Sequence, residues 1–216
     1  MKKQYLVAAA AILLVAVFAI AAILYDAKKS DEMSASAKQH ASLLVRDYSP
    51  TTGDKDARVT IVEFFDPACQ TCKQFHPFVK QLMDANPGKI KLVMRYTPLH
   101  HGSDEVVKIL EAARLQNLYW ETLQATYDTQ DAWAVNHTAQ PQNLWMILAY
   151  TKLDIEKAKR DVLSLAVIRN TQQDMDDARQ LNVDKTPGFF VNGKPLVRFG
   201  YEQLQELVES EIRNSY

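Results

Sequence analysis

Glu63-Phe64-Phe65-Asp66-Pro67-Ala68-Cys69-Gln70-Thr71-Cys72-Lys73-Gln74-Phe75-His76-Pro77 holds both cysteines of the chain, spaced Cys-x-x-Cys. The run leading into it, Val59-Thr60-Ile61-Val62-Glu63-Phe64-Phe65, is too continuously apolar for a half-exposed strand, so a central buried strand is expected. Beyond the cysteines, Phe75, Phe78, Val79 and Leu82 recur at helical spacing. Cys69 is therefore expected at or just before a helix N-terminus. Unpaired backbone N–H groups and the helix dipole stabilise a thiolate there, which lowers the cysteine pKa and makes the sulfur reactive. Cys69 is the candidate attacking sulfur, and Cys72, one turn inward, the buried sulfur that resolves a mixed disulfide. The bland alternative is a pair of buried structural thiols.

Downstream, Asn86-Pro87-Gly88 ends the helix and Ile90-Lys91-Leu92-Val93-Met94-Arg95-Tyr96 reads as the next strand. Strand, helix, strand in this order implies a parallel pair with a right-handed crossover. From Ser103 the pattern turns helical: Ser103 is the expected cap of a helix opened by Asp104 and Glu105, and further helical segments are expected near 117–128, 141–152, 154–164 and 166–181. Gly188-Phe189-Phe190-Val191, a turn at Asn192-Gly193 and Pro195-Leu196-Val197-Arg198 read as a hairpin. A last helix over about 201–213 buries Leu204, Leu207, Val208 and Ile212.

Upstream, Leu43 to Asp47 reads as a short strand and Ser49-Pro50-Thr51-Thr52-Gly53-Asp54 as a loop. Residues 26–42, small, polar and charged, read as a partly helical tether. Tyr5 to Tyr25 is an uncharged, mainly apolar run that as a helix spans about 30 Å, one bilayer core. It is longer than the apolar part of a signal peptide, which favours an uncleaved anchor over a cleaved signal. Lys2 and Lys3 favour a cytoplasmic N-terminus, so the rest of the chain is exported.

With 216 residues, 47% of them apolar, the chain can build a good-sized core. A net charge of −1 and the lack of a basic stripe argue against nucleic-acid binding. Two cysteines are too few for a disulfide framework.

The order β-α-β, helical insertion, β-β-α, with Cys69-Gln70-Thr71-Cys72 at a strand–helix junction, resembles the DsbA-like family of exported thiol–disulfide oxidoreductases. Glu63, six residues before Cys69, falls where that family keeps a buried acid. Pro77 matches the proline of the thioredoxin active-site helix, and Thr186-Pro187-Gly188-Phe189-Phe190-Val191-Asn192-Gly193 looks like the family's cis-proline loop and hairpin. The resemblance covers about residues 43–214. It implies an α/β thioredoxin-like fold with an inserted helical domain, preceded by an N-terminal transmembrane helix. The chain then divides into 1–25 (transmembrane anchor or signal peptide), 26–42 (tether), 43–102 (first part of the thioredoxin fold), 103–182 (helical insertion) and 183–216 (second part).

The resemblance also implies that Pro187 is cis beside the cysteines and that the Thr186 backbone pairs with an extended substrate chain. Glu63 lies in an apolar strand where a carboxylate is costly; desolvation raises its pKa and suits it to exchanging a proton with Cys72, the alternative being a carboxylate that reaches the surface. The candidate catalytic set is Cys69, Cys72, Glu63, Thr186 and Pro187, with no organic cofactor and no metal. Gln70-Thr71 departs from the Pro-His of well-known DsbA enzymes, which points to a higher Cys69 pKa and a weaker oxidant.

The expected function is that of a membrane-tethered oxidase, with its catalytic domain in the periplasm at the inner membrane. It would act on cysteines of exported proteins and be reoxidised by a membrane redox partner. An isomerase or reductase on the same cysteines, a metal-binding module using Cys69, Cys72 and one of His76, His100 and His101, and a redox-inert adaptor are the rivals. His76 is expected as a solvated helix residue.

Overall fold

A computed structural model describes residues 2–39, 41–136 and 138–216. The elements are α1 (Lys2–Gln39), a 3-10 turn (Ala41–Leu43), β1 (Thr51–Gly53), β2 (Val59–Phe65), α2 (Gln70–Ala85), β3 (Ile90–Tyr96), α3 (Ser103–Arg114) and α4 (Tyr119–Asp128). Then follow α5 (Gln130–Trp133), β4 (Ala134–Val135), β5 (Thr138–Ala139), α6 (Pro141–Leu148), α7 (Ile155–Asp161), α8 (Leu165–Gln180), β6 (Gly188–Val191), β7 (Lys194–Pro195) and α9 (Tyr201–Ser215).

The main sheet has the order β1-β3-β2-β6-β7. β2 runs parallel to β3, Val59 facing Ile90 and Phe65 facing Tyr96, and antiparallel to β6, Glu63 facing Phe189. Successive side chains of a strand point to opposite faces, so Val59, Ile61, Glu63 and Phe65 share one face of β2. That face packs on Cys69, Cys72, Phe75 and Val79 of the α2 region and on Leu204 and Val208 of α9. Val62 and Phe64, on the other face, pack with Val93, Ala178, Leu181 and Phe190. A central strand buried on both faces has to be apolar throughout, and Glu63 is the one exception in β2 that is both charged and fully buried.

At the start of the sheet the expected strand over Leu43–Asp47 is replaced by the 3-10 turn and a following turn, and the expected loop contains β1. The cause is tertiary. Arg95, buried in β3, donates to the Leu43 carbonyl, and Arg46 donates to both carboxylate oxygens of Asp177, at 2.8 and 2.6 Å. Those bonds hold the segment against the sheet, and β1 pairs antiparallel with β3. Gly53 (φ +102) makes this possible, because a Cβ there would lie 2.5 Å from the Ile90 carbonyl oxygen.

Three other local expectations are corrected. Gly102 (φ +77), not Ser103, occupies the N-cap of α3; Ser103 is buried, its hydroxyl 2.8 Å from the His100 carbonyl and 3.1 Å from Asp66. Strand pairing after the Asn192-Gly193 turn stops at Pro195, short of Arg198. The helix through the apolar run continues to Gln39 rather than fraying within the tether, since no Gly or Pro interrupts residues 2–39. Within it Val7–Tyr25, 19 residues of mean hydropathy 3.0 and fully exposed, is the single helix among the described residues long and apolar enough to cross a membrane.

Candidate active site

Cys69 is the N-cap of α2, with extended backbone (φ −76, ψ 120). Between the end of β2 at Phe65 and the helix start at Gln70 the chain must turn sharply, and Asp66 makes the turn. One of its oxygens accepts from the Ala68 N–H at 2.8 Å; the other accepts from the Leu99 and His100 N–H groups at 2.7 and 2.8 Å and lies 2.7 Å from His100 Nδ1. A single buried carboxylate thus ties the cysteine loop to the loop after β3. Gln130 adds a second brace, its side-chain amide donating to the carbonyls of Pro67 (2.8 Å) and Cys69 (3.1 Å).

Thr186-Pro187 is a cis peptide bond. The Thr186 carbonyl lies 3.4 Å from Cys69 Sγ, across a sequence separation of 117 residues. Beside it, Pro187, Val183, Phe189, Leu196 and Phe199 line a cavity of about 380 Å³. Cys69, Thr186 and Pro187 are therefore one locus, with Cys72 and Glu63 beneath it.

The two cysteines, both free thiols, differ in environment. Cys69 is 7% exposed and Cys72 fully buried, so only Cys69 offers its sulfur to another molecule. Hydrogen bonding from the Cys72 thiol, with further bonds from the Cys72 and Thr71 backbone and from Thr186, outweighs burial and lowers the Cys69 pKa to about 5. Burial, then the hydrogen bond to Cys69, pushes Cys72 well above its ordinary value. Burial followed by the nearby Cys69 charge raises Glu63 to about 8, and neither carboxyl oxygen has a hydrogen-bond partner among the described residues. At neutral pH the arrangement holds a nucleophilic thiolate outside, a protonated thiol inside and a protonated carboxyl below it. That set can attack a disulfide, be attacked as one, and take up or release the proton of the inner sulfur.

His76 is not solvated as expected but half-buried, its ring 5.2 Å from that of Tyr127. Among the described residues no group of three or more His, Cys, Asp or Glu side chains is placed to hold a metal ion. Asp66, Gln130 and Tyr127 are the site residues that sequence reasoning missed. Asp66 had a readable signal, an acid before proline at the end of a strand, whereas Gln130 and Tyr127 reach the site only through folding of the inserted helices.

Residues 46–210 match the thioredoxin family model. The chain belongs to the thioredoxin family. A thioredoxin-like oxidoreductase from Silicibacter pomeroyi superposes with a TM-score of 0.70 at 30% identity, covering 82% of this chain and 99% of that one. Disulfide bond formation protein D of Bacillus subtilis is 24% identical over 178 residues, 76% of this chain and 77% of the relative. The sodium–proton antiporter NhaA 3 of Salinispora tropica is 28% identical over 184 residues, which are 82% of this chain but 27% of the antiporter. The chain thus spans about a quarter of the length of that curated relative.

Proposed function

We propose that this DsbA-like chain is an exported, membrane-tethered thiol–disulfide oxidoreductase that exchanges a Cys69–Cys72 disulfide with cysteines of exported proteins, acting as an oxidase. The observation that carries this reading is Cys69 itself: an N-cap thiolate with a pKa of about 5, set against the Thr186 carbonyl while its partner Cys72 stays buried and protonated. A substrate thiolate attacks Cys69 of the disulfide, Cys72 leaves and is protonated, and a second substrate thiolate then attacks the mixed disulfide and frees Cys69. An extended substrate chain finds a backbone partner at Thr186. Stabilising the Cys69 thiolate stabilises the reduced protein, which drives disulfides outward to substrates.

The helix Val7–Tyr25 supports tethering in the inner membrane with the catalytic domain on the periplasmic face, where a membrane redox partner would reoxidise the pair. No organic cofactor is needed, since the cysteine pair carries both electrons.

The full chain in detergent, oxidised beforehand, is mixed with a reduced, unfolded substrate that regains activity on forming its disulfides. Catalysed recovery, lost in Cys69→Ser and in Cys72→Ser, neither of which can carry the Cys69–Cys72 disulfide, supports the reading. Recovery no faster than air oxidation sinks it. Catalysis only of disulfide reduction moves the assignment to reductase or isomerase.

A further inference from the structure

Cys72 and His76 stand four residues apart on α2, so the imidazole lies one turn along the same helix face as the inner thiol. Inward from His76 is Tyr127 of α4, their rings 5.2 Å apart. Tyr127 is 2% exposed and belongs to the core that also contains Cys72, onto which the Glu63 face of β2 packs. Its hydroxyl, like both oxygens of Glu63, meets no hydrogen-bond partner among the described residues. A buried hydroxyl and a buried carboxyl without partners carry a desolvation cost that an apolar core would avoid, so their placement beside a sulfur that must gain and lose a proton points to proton handling.

Outward from His76 is a cavity of about 750 Å³, lined also by Trp120, Lys80, Asp84, Glu121 and Gln124. The last four are exposed, so the cavity reaches solvent. His76 is thus a titratable residue that touches both sides. We propose that His76 relays protons between the buried Cys72, Glu63 and Tyr127 and this solvent-open cavity, a role that rests on the thiol–disulfide exchange proposed above.

The relay serves either direction of exchange. When substrate thiolate displaces Cys72 from the Cys69–Cys72 disulfide, Cys72 leaves with the electron pair of the broken S–S bond and takes the proton of the Glu63 carboxyl. Glu63 is then recharged with a proton that enters from the cavity by way of His76 and the Tyr127 hydroxyl. In the reverse step the Cys72 proton passes to the Glu63 carboxylate, the new S–S bond expels substrate thiolate, and Glu63 discharges outward along the same groups.

The groups facing His76 suit the task. Burial lowers its pKa; Gln124 and Asp128 of α4 raise it and Lys80 of α2 lowers it. Glu121 of α4, Asp84 of α2 and Asp54 stand further round the cavity wall. The net lowering leaves the imidazole neutral at neutral pH, able to accept at one nitrogen and donate at the other.

The test uses the full chain in detergent and follows single-turnover exchange with a cysteine peptide across pH and buffer concentration. His76→Ala is expected to slow exchange about 10-fold or more near neutral pH, in the range of general acid–base effects. Added imidazole, small enough for the cavity, should restore much of the rate, and the rate should rise with buffer concentration where the wild type's does not. His76→Gln, which keeps a polar side chain in place, should be as slow but resist imidazole. A wild-type rate in both variants, or a slow His76→Ala that imidazole and buffer leave unchanged, overturns the relay while leaving the exchange function standing. A wild-type chain without exchange activity removes both.

Discussion

Gln130 donates its side-chain amide to the Cys69 carbonyl at 3.1 Å, so a residue of the inserted helices holds the backbone of the loop that presents the reactive sulfur. The same amide bonds the Pro67 carbonyl at 2.8 Å. The insertion is therefore part of the site and not only a cover over it.

Replacing Gln130 by Ala takes the amide donor from the Pro67 carbonyl, leaves the Cys69 carbonyl with the Lys73 N–H alone, and opens space at the loop. A loss of about 1–3 kcal/mol per unpaired buried group is the ordinary cost, so the unfolding midpoint in urea should fall clearly. The Cys69 pKa should rise at the same time, because the backbone N–H groups of Thr71 and Cys72 no longer hold their aim at the sulfur. Thiolate absorbance followed against pH checks this; an unchanged titration would confine Gln130 to a packing role.

The Cys69 pKa of about 5 lies between those of thioredoxin, about 7, and DsbA, about 3.5. Since a more stable thiolate makes a more oxidising couple, the reduction potential should fall between their values of about −270 and −120 mV, nearer the oxidising end. Equilibration of the full chain in glutathione buffers, read by thiol alkylation, measures it. A potential at the thioredoxin value would rule out a disulfide donor.

Stability should depend on pH more steeply in the oxidised than in the reduced protein. The Glu63 carboxyl ionises near 8 when folded against 4.5 otherwise, so the folded chain keeps a proton that the unfolded chain releases. The stability this contributes is full below 4.5 and is lost as pH rises through 8. In the reduced protein Cys69 ionises near 5 rather than 9.0, and its contribution is full above 9.0 and lost as pH falls through 5. The oxidised protein lacks that thiol, so its stability should drop steadily across the Glu63 window, while the reduced protein is flatter. Urea unfolding of both states over this range, with Glu63→Gln abolishing the drop in the oxidised form, is the check.

Behind the sheet, Arg95 donates to Asp174 at 2.8 Å and to Asp177 at 2.6 Å, all three side chains fully buried. Asp174 also accepts from the Tyr96 N–H and the Tyr48 hydroxyl. Removing one member of a buried ion cluster strands the others, at about 3–5 kcal/mol. Asp174→Ala should therefore destabilise the fold by that amount. Arg46→Ala, at a half-buried site, should cost less and free the segment that precedes β1, readable as faster proteolysis there.

Much of this was written locally in the chain. The strand–Cys-x-x-Cys–helix run needed only a β-rich apolar stretch, a turn and a 3.6-residue periodicity, and the parallel β2–β3 pair followed from their order. The buried carboxyl of Glu63 was legible too, because β2 is apolar on both sides of it and alternation assigns it to the face of Ile61 and Phe65.

What the chain order does not contain is which distant groups meet. Thr51-Thr52-Gly53 has turn-forming composition and becomes a strand because β3 offers an unpaired edge and Gly53 tolerates the close approach of the Ile90 carbonyl. Leu43–Asp47 has strand-like composition and becomes a turn because Arg95 and Asp177 claim its polar groups. His76 looks like a surface residue of an amphipathic helix until α4 packs over it and places Tyr127 on one side and a cavity on the other. Periodicity along a sequence reports which face of an element is apolar. The partner that covers that face, and the polar atoms it brings, are decided only when the inserted helices close on the sheet, and there Gln130, Tyr127 and His76 enter the site.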